Sequence, residues 1–208
     1  MPTAHEQMHL FDRSWQRAWR TLGSRPASGL FEKLLSAYDQ PHRKYHTLQH
    51  LGECIEILEP VLNLCEHGGE VEAALWFHDA VYEPRHAGNE LESADWAVRE
   101  LKSAGLSGKP LQRVHELVMA TQHASMPKTQ DQQILVDVDL SILAASPMRF
   151  SEYESQVREE YGWVPGWLFR HKRRALLKDF LSRDYIYSTA HFREMNESTA
   201  RRNLALAM

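Results

Sequence analysis

Leu48-Gln49-His50-Leu51-Gly52-Glu53-Cys54-Ile55-Glu56-Ile57-Leu58 is the stretch that decides the fold. Its apolar residues Leu48, Leu51, Ile55 and Leu58 recur at intervals of 3, 4 and 3. That is the period of an amphipathic helix, whereas a half-buried strand would alternate every second residue. Thr47 stands just ahead of the run, Pro60 loosens its end, and Gly68-Gly69 closes the region. Downstream, Leu91, Ala94, Val98 and Leu101 repeat the same 3-4-3 spacing up to Gly105. Further helices fit Leu10–Trp19, Leu30–Tyr38, Val71–Tyr82, Leu111–His123, Ile134–Leu143, Phe150–Tyr161, Trp167–Leu181 and Ser198–Leu206. No strict period-2 run with hairpin turns competes, and no internal repeat or low-complexity linker divides the chain. The expected fold is all-α, a compact multi-helix bundle, in one domain spanning 1–208.

Composition agrees. Of 208 residues, 43% are hydrophobic and 25% charged, ordinary globular values. A chain of this size buries roughly 70% of its extended surface, enough for a core without staples. The formal charge of -4 argues against duplex nucleic acid as a partner, since a broad phosphate-binding face needs a cationic surplus. Charge is uneven: from His171 to Met208 eight Lys/Arg face four Asp/Glu, leaving the first 170 residues at -8. Two cysteines, Cys54 and Cys65, make no disulfide framework and imply a reducing compartment. No secretory signal is visible between Met1 and Trp19, and no apolar span of roughly 18 residues could cross a membrane. A cytoplasmic location is expected.

Several polar residues fall where packing does not ask for them. His46 and His50 are four apart, so both rings can share one helix face. His78-Asp79 follows the apolar Ala73-Ala74-Leu75-Trp76-Phe77; a charge there needs a cation or several donors. On a helical wheel starting at Ile134, the residues Ile134, Val138, Ile142, Leu135 and Leu143 span roughly 0° to 180°. Asp139 lies at about 140°, inside that sector, and Asp137 at about 300°, on the side expected to be solvated. An acid facing the core asks for a partner, either an ion or a core arginine. His50, His78, Asp79 and Asp139 together make a two-histidine, two-carboxylate set from separate helices, as metal sites in bundles are built. Such mixed ligation suits a divalent ion, Mn, Fe, Mg, Zn, Co or Ni, and no paired CxxC points to structural zinc. His115, Met119 and His123 share a face, with His123 a candidate metal ligand or phosphate contact, or an ordinary hydrogen-bonded histidine at the helix end. Tyr153, Tyr161, Trp163 and Trp167 lie near Arg158 and Arg170, but helical packing explains them as readily as nucleic-acid stacking.

Four segments in order, Tyr45-His46-Thr47-Leu48-Gln49-His50, Trp76-Phe77-His78-Asp79-Ala80-Val81-Tyr82, Asn89-Glu90-Leu91-Glu92-Ser93-Ala94 and Asp137-Val138-Asp139-Leu140, resemble the HD superfamily of metal-dependent phosphohydrolases. The likeness is strongest to its small bacterial subgroup, and it continues through Arg183-Asp184-Tyr185-Ile186-Tyr187 and Ala200-Arg201-Arg202-Asn203-Leu204. The resemblance implies an HD-type metal-binding core at about 42–145 with a C-terminal helical extension at 146–208. It implies metal ligation by His50, with His46 as competitor, then His78, Asp79 and Asp139. It implies His46 as general acid and Asp79 as the acid linking ion and water. Tyr82 stands where alarmone hydrolases of the superfamily carry an acid, and Glu83 matches the second acid there; Glu83 and Glu90 are candidates to position water.

The implied activity is hydrolysis of a phosphomonoester or phosphodiester of a small phosphorylated molecule, a nucleotide being one option. Phosphate contacts are expected from Arg43 and Lys44 or from the basic C-terminal end, with Arg174 and Lys178 four apart and Arg158, Lys172, Arg173 and Arg183 as alternatives. Two readings compete: a non-catalytic metal-containing module that senses nucleotides, and a scaffold that only forms a homodimer.

Overall fold

Thr47 opens α3 (Leu48–Leu58) as its N-cap, its hydroxyl oxygen accepting the Gln49 N–H. Leu51, Ile55 and Leu58 turn inward and are buried, as their spacing requires. Pro60 cannot donate to the helical ladder, and the chain tightens into a 3-10 turn at Glu59–Leu64. The computed structural model describes residues 3–208 and identifies ten α-helices in them. Besides α3 these are α1 (Ala4–Thr21), α2 (Leu30–Tyr38), α4 (Gly68–Phe77), α5 (Asn89–Ser103), α6 (Lys109–Ala120), α7 (Gln130–Asp139), α8 (Pro147–Glu160), α9 (Gly166–Ser182) and α10 (Ala190–Leu206). The fold is a compact all-α bundle, with no strand among the described residues. No helix in them is long and apolar enough to cross a membrane.

The bundle is organised around α4. Every residue from Gly69 to Phe77 is buried, and α1, α3, α5, α6 and α7 pack around it. A helix apolar on all sides belongs in a core. Its two acids are neutralised by neighbours: Arg113 donates to Glu70 at 2.7 Å, and Ser14 and Arg17 of α1 donate to Glu72. Trp76 Nε1 in turn donates to Ser14 Oγ at 3.0 Å. At Gly69 a Cβ would stand 2.9 Å from the Thr21 side chain, so only glycine lets α1 approach this closely.

Two boundaries differ from the expected ones, each for a tertiary reason. The helix expected over Val71–Tyr82 stops at Phe77, because Arg43 donates to the carbonyls of Asp79 (2.6 Å) and Ala80 (3.0 Å). Those oxygens are satisfied without a further turn. The last helix starts at Ala190 rather than near Ser198, capped by Thr189, whose hydroxyl accepts the Phe192 N–H. Thr189 is fixed by Asp137, which is fully buried and not solvated. Asp137 accepts the backbone N–H groups of Ser188 (2.7 Å) and Thr189 (2.8 Å) and the Thr189 hydroxyl (2.7 Å). The start of α10 thus covers the face of α7 that its own sequence left polar.

Candidate metal centre

The ends of three helices meet at one point. His50 sits in the first turn of α3, His78 and Asp79 in the turn that leaves α4, and Asp139 at the last position of α7. His78 is tied back by Nδ1, which donates to the Leu75 carbonyl at 2.7 Å. With the proton on Nδ1, the Nε2 lone pair points forward, the arrangement typical of a metal-ligating histidine. His78 Nε2 lies 3.2 Å from His50 Nε2 and 3.0 Å from Asp79 Oδ2. His50 Nε2 lies 3.2 Å from Asp139 Oδ1 and 3.5 Å from Asp79 Oδ2. Donors held about 2.1 Å from one ion stand roughly 3.0 to 3.5 Å apart at neighbouring positions. His50, His78 and Asp139 bring one donor atom each within 4.8 Å of one another, a group able to chelate a metal. Asp79 closes on this group through the two imidazoles, on which the carboxylates converge from different helices.

Both histidines are buried while the two carboxylates keep part of their surface open to a cleft. Burial works against every charge here, yet mutual attraction wins. The His78 imidazole, next to Asp79, is raised to about 9 against its burial. Asp79 is lowered, its burial outweighed by His78 and His46, and Asp139 is held well below the carboxylate range by His123 and His50 despite burial. The site therefore demands positive charge between two acids, which a divalent cation supplies as well as protons do. The nitrogen and oxygen donors fit such an ion.

Next to the cluster, the loop before α3 is wrapped around one carboxylate. Glu160, at the end of α8, accepts the N–H groups of Lys44 (2.8 Å), Tyr45 (2.8 Å) and His46 (3.0 Å) through Oε1. Its Oε2 accepts His46 Nδ1 at 2.8 Å and the Tyr82 hydroxyl at 2.9 Å. With Nδ1 donating to Glu160, Nε2 is the remaining nitrogen of an imidazole that lines the cleft. Burial alone would raise the Glu160 carboxyl, but these donors bring it down to about 2. Burial opposes charge on His46, and Asp79 and Glu160 outweigh it to raise its pKa. Glu160 has no sequence signal of its own; it reads as one more acid at a helix end.

The other candidates divide. His123 Nε2 is 3.0 Å from Asp139 Oδ2, and His123 is the one non-glycine with positive φ (54°) among the described residues. Backbone strain of this kind gathers at functional sites. Glu90 lines the same cleft as His46, Asp79, His123 and Asp139, and so does Arg183, paired with Asp179 at 2.7 Å. Glu83 is exposed and lines none of it, its N–H held by Asn89. Arg43 is not placed for phosphate: it is buried, with its guanidinium on the carbonyls of His46, Asp79 and Ala80. Lys44 contributes its backbone N–H to Glu160, and its exposed side chain is not in the cleft wall. Arg174 donates to the Met208 carbonyl and Lys178 is exposed, both outside the cleft. His115 sits 3.8 Å from Asp95, away from the centre. Both cysteines are free; Cys54 Sγ packs 3.6 Å from His50 Nδ1. No protein-family model, curated protein or solved structure matches this chain.

Proposed function

We propose that the chain is a metal-dependent phosphohydrolase of the HD type, a single domain whose ligand-bearing core at 42–145 is completed by the extension 146–208. The observation that supports this reading best is the convergence of His50, His78 and Asp139 on one point, with His46 beside it. Asp79 is proposed as the fourth ligand and His123 as an outer contact to Asp139. When bound, a divalent ion polarises the phosphoryl oxygens and makes water a better nucleophile near neutral pH.

The residues of the chain divide the remaining work. Asp79 and Asp139 hold the cationic side of the site. His46 donates the Nε2 proton to the departing oxygen as the phosphorus–oxygen bond breaks and the water oxygen bonds to phosphorus. Imidazole suits that transfer because it titrates near neutrality. Glu160 is a positioning residue: it fixes the tautomer and direction of His46 and favours its protonated form. Arg183 at the rim is the cation placed to meet phosphate oxygens, and Glu90 is the acid placed to orient water.

The test joins metal analysis to a turnover screen on the same full-length sample, purified anaerobically, with phosphomonoesters, phosphodiesters and nucleotides. Stoichiometric metal and turnover are expected in the wild type, with both lost in His78→Ala. Turnover by His78→Ala at full metal content overturns the assignment. Tight nucleotide binding without turnover of any ester favours the sensing module instead.

A further inference from the structure

The cleft has a second half. Beside the polar recess of the metal centre, about 510 Å³, opens an annex of about 590 Å³. Both lie within the roughly 300–1,000 Å³ of small-molecule sites. The two adjoin: Tyr45, His46, Tyr153, Tyr161 and Leu176 belong to both walls. His46, the proposed proton donor, is therefore the partition between the ion-binding side and the annex.

The chemistry of the annex is one-sided. Its surface is built from Tyr153, Tyr161, Trp163, Val164, Leu168 and Phe169, and its described lining includes no Asp, Glu, Asn, Gln, Ser or Thr. The polar side-chain groups in its wall include the hydroxyls of Tyr45, Tyr153 and Tyr161, the His46 imidazole and the basic Lys172 and Arg173, with no carboxylate or amide to read the paired hydroxyls of a ribose. The carbonyls of Tyr161 and Val164 are already taken by Arg158, at 2.7 and 3.1 Å. The same guanidinium lies 4.8 Å from the Phe169 ring centroid, so the loop and the ring it faces are held together. Tyr161 stands 6.5 Å from Trp163 and 6.3 Å from Phe169, centroid to centroid, within reach of a ring inserted against them. Of the two basic side chains in the wall, Arg173 is committed to Glu154, and Lys172 joins no ion pair among the described residues. Trp163 is 51% exposed, a large apolar surface left at the mouth of a cleft.

From this we infer that the substrate is a phosphate ester whose alcohol side is a flat, uncharged aromatic group seated in the annex, with its phosphate at the metal centre. The inference rests on the hydrolase reading and narrows it. In the reaction water adds its oxygen to phosphorus as the bond to the alcohol-side oxygen breaks, that oxygen leaves with the Nε2 proton of His46, and one proton of the water passes to bulk solvent, from which His46 is reprotonated. Binding energy from the annex places the departing oxygen beside the imidazole, where remote contacts are converted into orientation.

The test uses the metal-loaded full chain and two probes that cannot be hydrolysed, methylphosphonate and 2-naphthylmethylphosphonate, with binding followed by calorimetry. The naphthyl probe is expected to bind at least about tenfold tighter, from the ring area it buries. Trp163→Ala, and Leu168→Asn as a change of polarity with the side-chain heavy-atom count kept, each reduce that ratio about fivefold or more. Trp167→Ala, which is outside the annex, leaves the ratio where it was. Equal binding of the two probes, a ratio indifferent to both annex variants, or tighter binding of adenosine monophosphate than of the naphthyl probe overturns the inference. So does a concentration-dependent dimer in light scattering that Trp163→Ala dissolves, since a second copy then fills the annex. Discrimination between the probes without turnover of 2-naphthyl phosphate upholds the ligand class and removes the hydrolase reading alone. Turnover without discrimination does the reverse.

Discussion

Asp137 and Asp139 lie two residues apart on α7, the first fully buried and the second opening in part to the cleft, and their partners differ in kind. Around Asp137 the chain itself supplies three donors, two backbone N–H groups and a hydroxyl from the start of α10. Around Asp139 stand only imidazoles, those of His50, His78 and His123. Burial raises the Asp137 carboxyl in spite of its donors, whereas Asp139 is pulled down by its histidines. A buried acid saturated by N–H groups is a clasp between elements. One surrounded by imidazole nitrogens, themselves able to ligate, is part of a cation site.

Exchanging the roles of the two acids is the sharpest way to break that contrast. Asp139→Ala is expected to lose more than about 100-fold in metal affinity, beyond what changes outside the ligand set usually cost. Its helical content and cooperative unfolding should stay as they are. Metal titration followed by circular dichroism on the same sample measures both. Asp137→Ala should do the opposite. Its metal stoichiometry is kept, and stability falls by about 3–5 kcal/mol as buried N–H groups lose their acceptor. Urea unfolding reads that loss, and equal loss of metal by both variants would erase the distinction.

Much of this is legible in the sequence, and the remainder is hidden for a physical reason. The 3-4-3 spacings marked the helices, and Asp139 betrayed itself by falling in the apolar sector of its own helix. Asp137 reads as solvated on the same wheel, because a wheel records one helix and the chain ahead of α10 arrives from fifty-one residues later. Arg43 looked like a phosphate ligand by proximity to His46; its true task, closing the carbonyls after α4, depends on a turn thirty-six residues away. Glu160 was invisible for a related reason. No local pattern tells an acid at a helix end that will collect three N–H groups of a distant loop from one that will face water.

Glu160 extends the comparison to a third acid, with the smallest expected effect. Like Asp137 it is a clasp, but its second oxygen holds His46, so one residue serves fold and cleft together. Its carboxyl is lowered from 4.5 to about 2 in the fold. The stability this represents is therefore present above the unfolded value and lost as pH falls from about 4.5 through about 2. Glu160→Gln should weaken the fold at neutral pH on the order of 2 kcal/mol. It should also flatten the decline in urea midpoint between neutral pH and pH near 3. An unchanged acid profile would place Glu160 outside the set of acids that acid titration unlocks.

The wrapping of the 44–46 loop around Glu160 also bears on how this centre could be transplanted. The proposed ligands come from α3, the turn after α4 and α7, but the stretch that carries His46, the proposed proton donor, is shaped by α8, which provides none of them. A designer who grafted only the ligand-bearing helices into another bundle would move the ion pocket and leave its proton delivery behind. The smallest portable unit of this chemistry runs at least to the end of α8.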